Sequence, residues 1–402
     1  MNSGSFLVVN AGSSSLKFSL FRLDAADTLQ LAARGLVDGI GAEPHMRVKN
    51  DTGETLFERK LPIADACDLG RAITLAGAWL RDYFPHEPLL AVGHRVVHGG
   101  AEYSHPLRVD QSILTALEKL IPLAPLHQPH NLAAIRSLLD IQPQLPQIAC
   151  FDTAFHRTHP QLADMYALPF EYYEAGVRRY GFHGLSYEYI AATLPQVAPD
   201  IANGRVIVAH LGSGASLCAL RAGKSVDSTM GFSALDGIPM GTRPGAVDPG
   251  VLLYLVSQRH MTPAALETLL YKESGLLGLS GISNDMRQLL ASPEPRARLA
   301  IDYFIHNIAK AIGALTAVLG GLDGLVFTAG IGENSPEIRA RIIEACGWLG
   351  ITLNANANRR CEPRISTTGS AASAWVIPTN EELMIATHTH ALVKAASLPD
   401  VR

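Results

Sequence analysis

The feature that most constrains the fold of this chain is a strand–turn–strand pattern that occurs twice, at residues 10–21 and at residues 210–221. The two segments read NAGSSSLKFSLF and HLGSGASLCALR, and their turn glycines, Gly12 and Gly212, lie 200 positions apart. In each copy an apolar strand turns through small Gly and Ser residues and returns as a second strand. The repeat therefore predicts a chain of two lobes that share one strand arrangement.

Each of these turns also offers a place to bind phosphate. Small residues in a tight turn bring several backbone N–H groups towards one point, and such a group of donors binds anions. If the two turns face each other, they hold one polyphosphate between the two lobes. A glycine turn within GLVFTAGIGENSPEIRARIIEACG, residues 324–347, is a third candidate nucleotide contact. Gly and Ser also form turns without a ligand, so a purely structural role stays open for any single turn.

Length and charge limit the class of protein. At 402 residues the chain is longer than one hydrophobic core usually organises, so two domains are expected. Charged residues make up only 17% and the net charge is −4, which disfavours a nucleic-acid-binding surface. The five cysteines are scattered, the N-terminus lacks a signal-peptide pattern, and the longest apolar run, 311–322, is too short to cross a bilayer. We expect a cytoplasmic protein that binds neither nucleic acid nor membrane.

Local patterns predict the elements that connect the repeated hairpins. Residues 68–83 have the pattern of one helix, residues 110–140 that of two helices, and residues 264–271 that of another. The segment QIACFDTAFH, residues 147–156, reads as a buried strand that places Asp152 at its end. We place the boundary of the first lobe there.

The C-terminal half is dominated by one amphipathic pattern and one strand–turn–helix. Apolar residues three and four positions apart over 301–315 predict a helix that ends at Gly320. After the third glycine turn, Ser335 is a candidate N-cap for a helix that ends at Gly347. The final strand leads to Glu381 and into a helix that is expected to return to the first lobe.

Polar side chains suited to phosphoryl transfer stand in or beside these motifs. They are Asn10, Lys17, Arg95, Asp152, His183, Arg243, Asp285 and Glu381. The reaction needs cations and N–H dipoles where charge develops, together with Mg²⁺ held by hard oxygen ligands, and Glu381 can supply such an oxygen. The pairs His127/His130 and His156/His159 are three residues apart, but they lie in loops, and we do not expect them to bind zinc.

Eight motifs, taken together, resemble a known family. LVVNAGSSSLKF (7–18) and VGHRVVHGG (92–100) are similar to the two signature segments of the acetokinase family, the short-chain carboxylate kinases. FDTAFH, RRYGFHG, GTRPG, DMR, GIGEN and PTNEEL follow in the family's order, so the resemblance spans essentially the whole chain. It implies an α/β fold of two duplicated ribonuclease H-like domains around a nucleotide cleft, as in the acetate and sugar kinase, heat-shock chaperone and actin superfamily. The first domain would comprise 1–152 and a C-terminal helix 383–402, and the second, nucleotide-binding domain 153–382.

The resemblance also implies a role for individual residues. The implied catalytic residues are Asp152, His183 and Arg243, the implied acyl-substrate residues are Arg95, Val97, Leu126 and Phe182, and the implied metal residues are Asn10 and Glu381. The implied nucleotide-binding residues are Lys17, His210, Leu211, Gly212, Ser213, Gly214, Asp285, Met286, Arg287, Gly330, Ile331, Gly332, Glu333 and Asn334. The implied activity is reversible transfer of phosphoryl from ATP to acetate by direct in-line attack, giving ADP and acetyl phosphate. Mg²⁺, with Mn²⁺ as a substitute, is the implied cofactor, and a homodimer is the implied assembly.

These roles are physically sensible for a carboxylate acceptor. The substrate is already ionised at pH 7, so the difficulty is to bring one anion up to a polyanion. A unit charge pair at about 4 Å is worth on the order of 4 kcal/mol at an effective dielectric near 20, and arginine stays charged while its planar fork addresses two oxygens. Two arginines and Mg²⁺ therefore offset the repulsion, and Asp152 is expected to orient an arginine or a water rather than remove a proton.

The sequence departs from the family's usual pattern at a few positions. Ser213 stands where the family commonly has asparagine, Ala234 where proline is common, and Tyr187 where histidine is usual. The first change predicts a weaker phosphate or nucleotide contact, and the second predicts a wider acyl pocket. Gly330 and Ile331 are retained, whereas the pyrophosphate-using branch has bulkier residues there, so ATP is the expected donor.

Other interpretations stay open at this point. Taken singly, Arg95 could be a structural ion-pair partner, Asp152 a turn cap, and His183 a hydrogen-bonded histidine in a bend. A propionate or butyrate kinase fits the same motifs, because one methylene in an apolar pocket changes binding by only about 1 to 3 kcal/mol. A different class, an ATP-switched binding protein of the same superfamily, would use the same cleft without a carboxylate.

Overall fold

The computed structural model describes residues 4–396 and divides them between two compact units. Unit 1 is Met1–Ala154 together with Asn380–Arg402, and unit 2 is Phe155–Thr379. Each unit contains one β-sheet flanked by helices. The predicted boundaries, at residues 152 and 382, lie close to these.

The sheet of unit 1 has eight strands in the order β5-β4-β3-β2-β1-β6-β8-β7. β1 pairs antiparallel with β2 and parallel with β6, and β6 pairs parallel with β8. Leu7, Val9 and Phe18 on the hairpin are buried in the core beneath the helices Leu69–Tyr83 and Gln128–Ile141. The strands are β1 (Ser5–Ala11), β2 (Ser15–Leu23), β3 (Leu29–Asp38), β4 (His45–Lys49), β5 (Thr55–Lys60), β6 (Leu89–Val96), β7 (Leu107–Arg108) and β8 (Gln147–Phe151).

The sheet of unit 2 repeats the central part of the first sheet. Its order is β11-β10-β9-β12-β13, with β9 antiparallel to β10 and parallel to β12, which is in turn parallel to β13. The strand–turn–strand repeat thus occupies the same place in both sheets, as the sequence predicted. The strands are β9 (Arg205–Leu211), β10 (Ala215–Arg221), β11 (Lys224–Ser228), β12 (Gly324–Thr328) and β13 (Ser373–Val376).

The helices connect and cover these sheets. Those of unit 1 are α1 (Leu69–Tyr83), α2 (Gln111–Glu118), α3 (Gln128–Ile141) and α15 (Glu381–Ala396). Those of unit 2 are α4 (Gln161–Asp164), α5 (Phe170–Glu174), α6 (Gly184–Val197), α7 (Pro249–Ser257), α8 (Pro263–Thr268), α9 (Gly275–Ser280), α10 (Met286–Ala291), α11 (Pro295–Leu319), α12 (Ala329–Asn334), α13 (Pro336–Ala345) and α14 (Ala355–Arg359). None of the helices within residues 4–396 combines the length and the apolar character that a membrane span requires.

Two helix ends carry recognisable local signals. The side chain of Asp68 accepts from the backbone N–H of Arg71 and so caps α1. α11 ends at Gly320, which is left-handed with φ 71°. Helix α8 is shorter than predicted, because a π-helical turn, Leu269–Glu273, follows it directly.

Two further expectations concern the C-terminal part of the chain. α15 returns to unit 1 and packs on β1, β6 and β8, as predicted. A Cβ at Gly93 of β6 would lie only 2.3 Å from Oγ1 of Thr389, so glycine is required where the helix crosses the strand. Positions 397–402 of the predicted helix lie outside the described residues. The third glycine turn is itself the short helix α12, and α13 follows it directly with Ser335 between them, although the Ser335 side chain makes no capping hydrogen bond.

Candidate active site

Arg95 near the end of β6 and Asp152 just after β8 form a largely buried ion pair in unit 1. Nε of Arg95 donates to both carboxylate oxygens of Asp152 at 3.0 and 3.1 Å, and Nη2 donates to Oδ2 at 2.8 Å. The Asp152 side chain is 3% exposed and that of Arg95 20%. Nη1 of Arg95 lies 3.5 Å from Oε2 of Glu381, the first residue of α15. The sequence separates these three residues widely, and the sheet brings them together.

The pair is held by opposing effects. Burial lowers the pKa of Arg95, whereas the negative charges of Asp152 and Glu381 raise it. The two charges outweigh burial, so the net shift of this pKa is upward and the guanidinium stays charged. Burial raises the pKa of Asp152, and the charge and hydrogen bonds of Arg95 oppose that rise. Because Arg95 occupies both oxygens of Asp152, this carboxylate is placed to orient the guanidinium.

The β1–β2 turn carries the predicted metal and phosphate residues of unit 1. Asn10 and Lys17 face each other across the hairpin, and Gly12 N–H donates to the carbonyl of Ser15 at 2.8 Å to close the turn. Asn131 of α3 fixes this end of β1, because its Nδ2 donates to the carbonyl of Ala11 at 2.8 Å. Lys17 is exposed and Asn10 half-buried, so both side chains are accessible from solvent.

The same Asn131 also holds the loop after β6. Its Oδ1 accepts from the backbone N–H of Val97 at 3.0 Å, and Gln128 forms a matching pair of hydrogen bonds with the backbone of His98 at 3.1 and 3.0 Å. Leu126 lies half-buried in the turn that leads into α3. The loop that bears Val97 is therefore held by side chains of α3 from thirty or more residues away.

In unit 2, two histidines predicted for the site are stacked on each other. The rings of His183 and His210 have centroids 4.2 Å apart and an interplanar angle of 17°. Nδ1 of His183 lies 2.8 Å from Oγ of Ser216, and Nδ1 of His210 lies 2.8 Å from Oγ of Ser186. Tyr187, the departure from the family pattern, is fully buried, and its hydroxyl lies 2.5 Å from Oγ of Ser216. Both rings are thus oriented through Nδ1, which leaves Nε2 as the nitrogen directed elsewhere.

His183 also sits in a constrained backbone. Its φ is 58°, in the left-handed region that disfavours most residues other than glycine, at the position just before α6. Phe182, the preceding residue, is buried, and its carbonyl accepts a hydrogen bond from Nε2 of His156 at 2.9 Å. A rare backbone conformation kept by its surroundings often marks a functional position.

Arg243 and His183 converge on the turn of the second hairpin. A Cβ at Gly214 would lie 3.0 Å from Nη2 of Arg243 and 3.1 Å from Nε2 of His183. Nη1 of Arg243 donates to the carbonyl of Ala234 at 2.8 Å, so the backbone at that departure position orients the guanidinium. Burial lowers the pKa of Arg243, and no carboxylate among residues 4–396 pairs with it, so its charge is available to an anion.

The loop that bears Arg243 is tied to the phosphate turn. The N–H of Gly241 donates to the carbonyl of Ser213 at 3.1 Å, and the N–H of Met240 donates to the carbonyl of Arg243 at 2.9 Å. A Cβ at Gly275 would lie 2.2 Å from the carbonyl of Met240, so the start of α9 packs directly on this loop. Exposed Ser213 and the Arg243 loop are therefore joined by a backbone hydrogen bond.

The DMR motif lies at the start of α10. Asp285 caps this helix by accepting from the N–H of Arg287 at 2.9 Å, and the Arg287 guanidinium folds back onto the same carboxylate at 2.6 Å. The side chain of Met286 is buried, which leaves only its backbone for a ligand. Arg287 is 90% exposed.

The GIGEN motif forms α12 beside the second hairpin. A Cβ at Gly212 would lie 3.6 Å from Cβ of Ala329, so the two glycine motifs are neighbours. Gly330 faces open space, because a Cβ there would meet nothing within 4 Å, whereas Gly332 packs against β12. Oε1 of Glu333 accepts from the N–H of Ala329 at 2.8 Å and from that of Thr379 at 3.1 Å, so this carboxylate secures the backbone.

A buried arginine that sequence analysis missed holds α12 from behind. Arg339 is fully buried, and its Nη1 donates to the carbonyls of Gly332 at 2.8 Å and Glu333 at 2.7 Å. Its Nε donates to Oδ1 of Asn358 at 2.8 Å. Asn131, Gln128, Ser186 and Ser216 were missed as well. Each lies on a helix or strand, and although Ser216 belongs to the repeated hairpin, only long-range hydrogen bonds reveal the role of each side chain.

The structure sorts the predicted residues by unit. Arg95, Asp152 and Glu381 come together in unit 1, where Asn10 and Lys17 share the hairpin and Val97 and Leu126 lie on the loops around α3. Unit 2 gathers His183, His210, Leu211, Gly212, Ser213, Gly214 and Arg243 at its hairpin turn, with Gly330, Ile331, Gly332, Glu333 and Asn334 of α12 beside it. A Cβ at Gly241, whose N–H donates to the carbonyl of Ser213, would lie 3.4 Å from Cβ of Asn284, the residue just before the DMR motif.

The comparisons with known proteins agree on one family. The model of the Acetokinase family matches residues 5–387. The acetate kinase of Nitrobacter hamburgensis is 57% identical over 398 residues, covering 99% of this chain and 98% of the relative. The acetate kinase of Rhizobium meliloti is 53% identical over 389 residues, covering 97% of this chain and 98% of the relative.

Solved structures show the same fold. A propionate kinase from Francisella tularensis is 36% identical with a TM-score of 0.90, covering 96% of this chain and 99% of that one. The acetate kinase of Porphyromonas gingivalis is 34% identical with a TM-score of 0.87, and the match covers 97% of this chain and 100% of that one. The duplicated α/β fold predicted from the repeat is thereby confirmed, and this chain belongs to the acetokinase family.

Proposed function

We propose that the protein is an acetate kinase that transfers the terminal phosphoryl group of ATP to acetate reversibly, giving acetyl phosphate and ADP. The observation that carries the proposal is the convergence of Nη2 of Arg243 and Nε2 of His183 on the Gly214 turn. A cation and a ring nitrogen at a backbone turn that can bind phosphate are suited to the charge that spreads over a transferring phosphoryl group.

Each unit supplies a different part of the chemistry in this proposal. In unit 1, Arg95, fixed by Asp152, binds the acetate carboxylate, and Val97 and Leu126 provide apolar contacts for its methyl group. Backbone N–H groups of the second hairpin turn hold the phosphates, and α12 and the DMR motif contact the nucleoside. Because acetate is already an anion, direct attack needs no strong base, and Asp152 acts by positioning Arg95.

A magnesium ion fits the residues assigned to it. Asn10 and Glu381 offer amide and carboxylate oxygens, the hard donors that Mg²⁺ prefers, and Mg²⁺ commonly takes few protein ligands and completes its shell with phosphate and water. Residues 4–396 contain no cluster of three His, Cys, Asp or Glu side chains suited to a metal, which is compatible with so sparse a site. When bound, the ion neutralises charge on the phosphates, and Mn²⁺ would serve the same purpose.

The donor is ATP in this proposal. Gly330 leaves open space beside the hairpin glycines, where a larger side chain would project. An adenosine needs such space, whereas pyrophosphate does not. The five cysteines are scattered along the sequence without a CxxC pair, a pattern typical of reduced thiols, so we place the enzyme in the cytoplasm.

The experiment is a carboxylate series with hydroxylamine trapping. The protein is incubated with Mg·ATP, hydroxylamine and acetate, propionate or butyrate, and acyl hydroxamate is measured to obtain kcat/KM. Acetate should give the highest value, with propionate following within about 10- to 200-fold, the range expected for one methylene. A far higher kcat/KM with propionate would assign the chain to the activity named for the Francisella relative.

We also propose that the enzyme is a homodimer and that α7 contributes to the interface. The nine-residue helix PGVLLYLVS has no buried residue, and Leu253 is 70% and Tyr254 52% exposed. A helix that is apolar on all sides is normally covered by other protein. A second copy is the occupant we propose, because both copies would present the same surface around a twofold axis.

Sedimentation of Leu253→Asp tests this assembly. A charge in the centre of an apolar contact should convert a dimer into a monomer at micromolar concentration. The matched control is Arg259→Asp, an exposed position just after the same helix, which should remain dimeric. A wild-type protein that sediments as a monomer, or a Leu253→Asp variant that remains a dimer, contradicts the proposal.

A further inference from the structure

Unit 1 contains a large apolar cavity that the phosphoryl-transfer chemistry does not use. It has a volume of about 510 Å³ and lies between the β1–β2–β6 face of the sheet and helices α1 and α3. Its floor is formed by Val9, Leu16, Phe18 and Leu20, each no more than 4% exposed. All its lining residues belong to unit 1, so the cavity is defined within one compact body.

A cavity of this size needs a physical explanation. Protein interiors are packed as densely as organic crystals, with few voids larger than a water molecule. An apolar void gains no hydrogen bonds from water and costs stability as its volume grows. A volume of about 510 Å³ falls instead in the range of small-molecule binding pockets, roughly 300 to 1,000 Å³.

The cavity reaches solvent at one side, where the guanidinium of Arg81 lies. Among its lining residues, Thr74, Arg81, Pro85 and Ile141 are exposed and form the outer wall. The Arg81 guanidinium folds back over α1, since a Cβ at Gly77 would lie 3.6 Å from its Nη1. It forms no hydrogen bond or ion pair with any residue in the range 4–396.

The other charges at the rim are already neutralised. Glu87 pairs with Arg22, and its Oε2 accepts from Oγ of Ser5 at 3.0 Å. Arg22 also lies over the Phe84 ring, with 5.1 Å from its Cζ to the centroid. The only uncompensated charge lining the cavity, among the described residues, is therefore the positive charge of Arg81.

From this arrangement we propose that the cavity is a binding site for an amphipathic carboxylate, with an aliphatic tail on the buried floor and the carboxylate at Arg81. The tail replaces the missing packing partners of Phe18 and Leu20, and the head group pairs with a guanidinium that has no protein partner. A neutral or cationic amphiphile would gain only the first of these two contributions. The site lies on the opposite face of the hairpin from Asn10 and Lys17, because side chains alternate along a strand and Val9 and Phe18 line the cavity.

Isothermal titration calorimetry with decanoate below its micelle concentration tests the proposal. The wild-type protein should bind one decanoate per chain saturably, and decanol, which lacks the carboxylate, should bind about fivefold more weakly, the effect of an exposed ion pair near 1 kcal/mol. Arg81→Gln should weaken decanoate to the affinity of decanol and leave decanol unchanged. The matched control is Arg71→Gln, an exposed arginine on α1 that does not line the cavity, and it should bind as the wild type does.

A second variant tests the apolar part of the site. Ala76 is 4% exposed and lines the cavity, so Ala76→Phe should fill it and weaken decanoate at least tenfold. Thermal unfolding and acetate-dependent hydroxamate formation verify that each variant is folded. A variant that unfolds is replaced by Arg81→Gln, whose exposed side chain is not part of the core.

The outcomes separate this site from the proposed acyl site. Excess acetate should not displace decanoate, and neither Arg81→Gln nor Arg71→Gln should change kcat/KM for acetate. Absence of saturable binding to the wild type, displacement by acetate, or wild-type affinity for decanoate in both Ala76→Phe and Arg81→Gln would each overturn the proposal. None of these results depends on whether acetate is the preferred substrate of the enzyme.

Discussion

The Arg95–Asp152 pair makes a sharp prediction about how Asp152 contributes to activity. Both oxygens of the carboxylate accept from Arg95 at 2.8 to 3.1 Å, and the Asp152 side chain is only 3% exposed. If Asp152 serves to orient Arg95, its removal should matter only while Arg95 is present. Asp152→Asn is the appropriate change, because it keeps the shape of the side chain and removes the charge.

The magnitude follows from the burial of the pair. Removing one partner of a buried ion pair costs about 3 to 5 kcal/mol. Asparagine retains one acceptor oxygen, so we expect a loss near 3 kcal/mol in the free energy of unfolding. If most of that loss reaches the transition state, kcat/KM for acetate falls by about 100-fold, since every 1.4 kcal/mol is a factor of ten.

A double-mutant cycle provides the measurement. kcat/KM for acetate is determined for the wild type, Arg95→Gln, Asp152→Asn and the double variant, at a temperature well below every unfolding midpoint. Strong coupling is expected, because residues in direct contact are rarely additive. The double variant should lie within about threefold of Arg95→Gln alone. Asp82→Asn, an exposed aspartate on α1, is the matched control and should behave as the wild type does.

Two results would refute this reasoning. If Asp152→Asn lowered kcat/KM by the same factor in the Arg95→Gln background, Asp152 would act on the substrate independently of Arg95. The pH profile of kcat/KM supplies the second check. A general base would give an acidic limb that disappears in Asp152→Asn, whereas a positioning residue changes the height of the profile and leaves its limbs in place.

Three further predictions concern unit 2 catalysis, acid stability and the support of α12. Arg243→Ala should lower kcat by several orders of magnitude with a smaller change in KM for ATP, because its guanidinium acts on transition-state charge, and near-normal turnover would remove it from the mechanism. Burial lowers the pKa of His94 to about 4 from 6.5, so the unfolded chain binds a proton at this group more readily than the folded one. The contribution of neutral His94 to the free energy of unfolding is therefore fully present above pH 6.5 and is lost as pH falls from 6.5 towards 4. Urea unfolding should lose about 2 kcal/mol between pH 7 and pH 5 through this group, and His94→Gln should lack that part of the loss. Arg339→Met should lower the free energy of unfolding by about 3 kcal/mol and raise KM for ATP, because the carbonyls of α12 lose their donors, and unchanged values of both would contradict the role of Arg339.

The sequence predicted the elements whose signals are local. Gly12 and Gly212 identified the repeated hairpins, Gly320 marked the end of α11, and the apolar spacing over 301–315 identified that helix. Such signals depend on neighbours within a few residues, where backbone sterics and capping act. The order of the motifs along the chain also identified the family. The same local logic predicted a glycine turn at GIGEN, where the structure has the short helix α12, because glycine is compatible with both.

The tertiary structure alone decided which side chains meet. Asn131 and Ala11 are 120 residues apart, and Arg95 and Asp152 are 57 residues apart, yet each pair forms a short hydrogen bond. Nothing near Arg339 or Asn131 in the sequence indicates such partners, since a hydrogen bond across the fold leaves no periodic pattern along the chain. The apolar cavity beside Arg81 is equally invisible in sequence, because a void is a property of how buried side chains fill three-dimensional space. The chain's local chemistry thus determined its elements and its family, while long-range packing decided the orientation of its charged groups and the space left between sheet and helices.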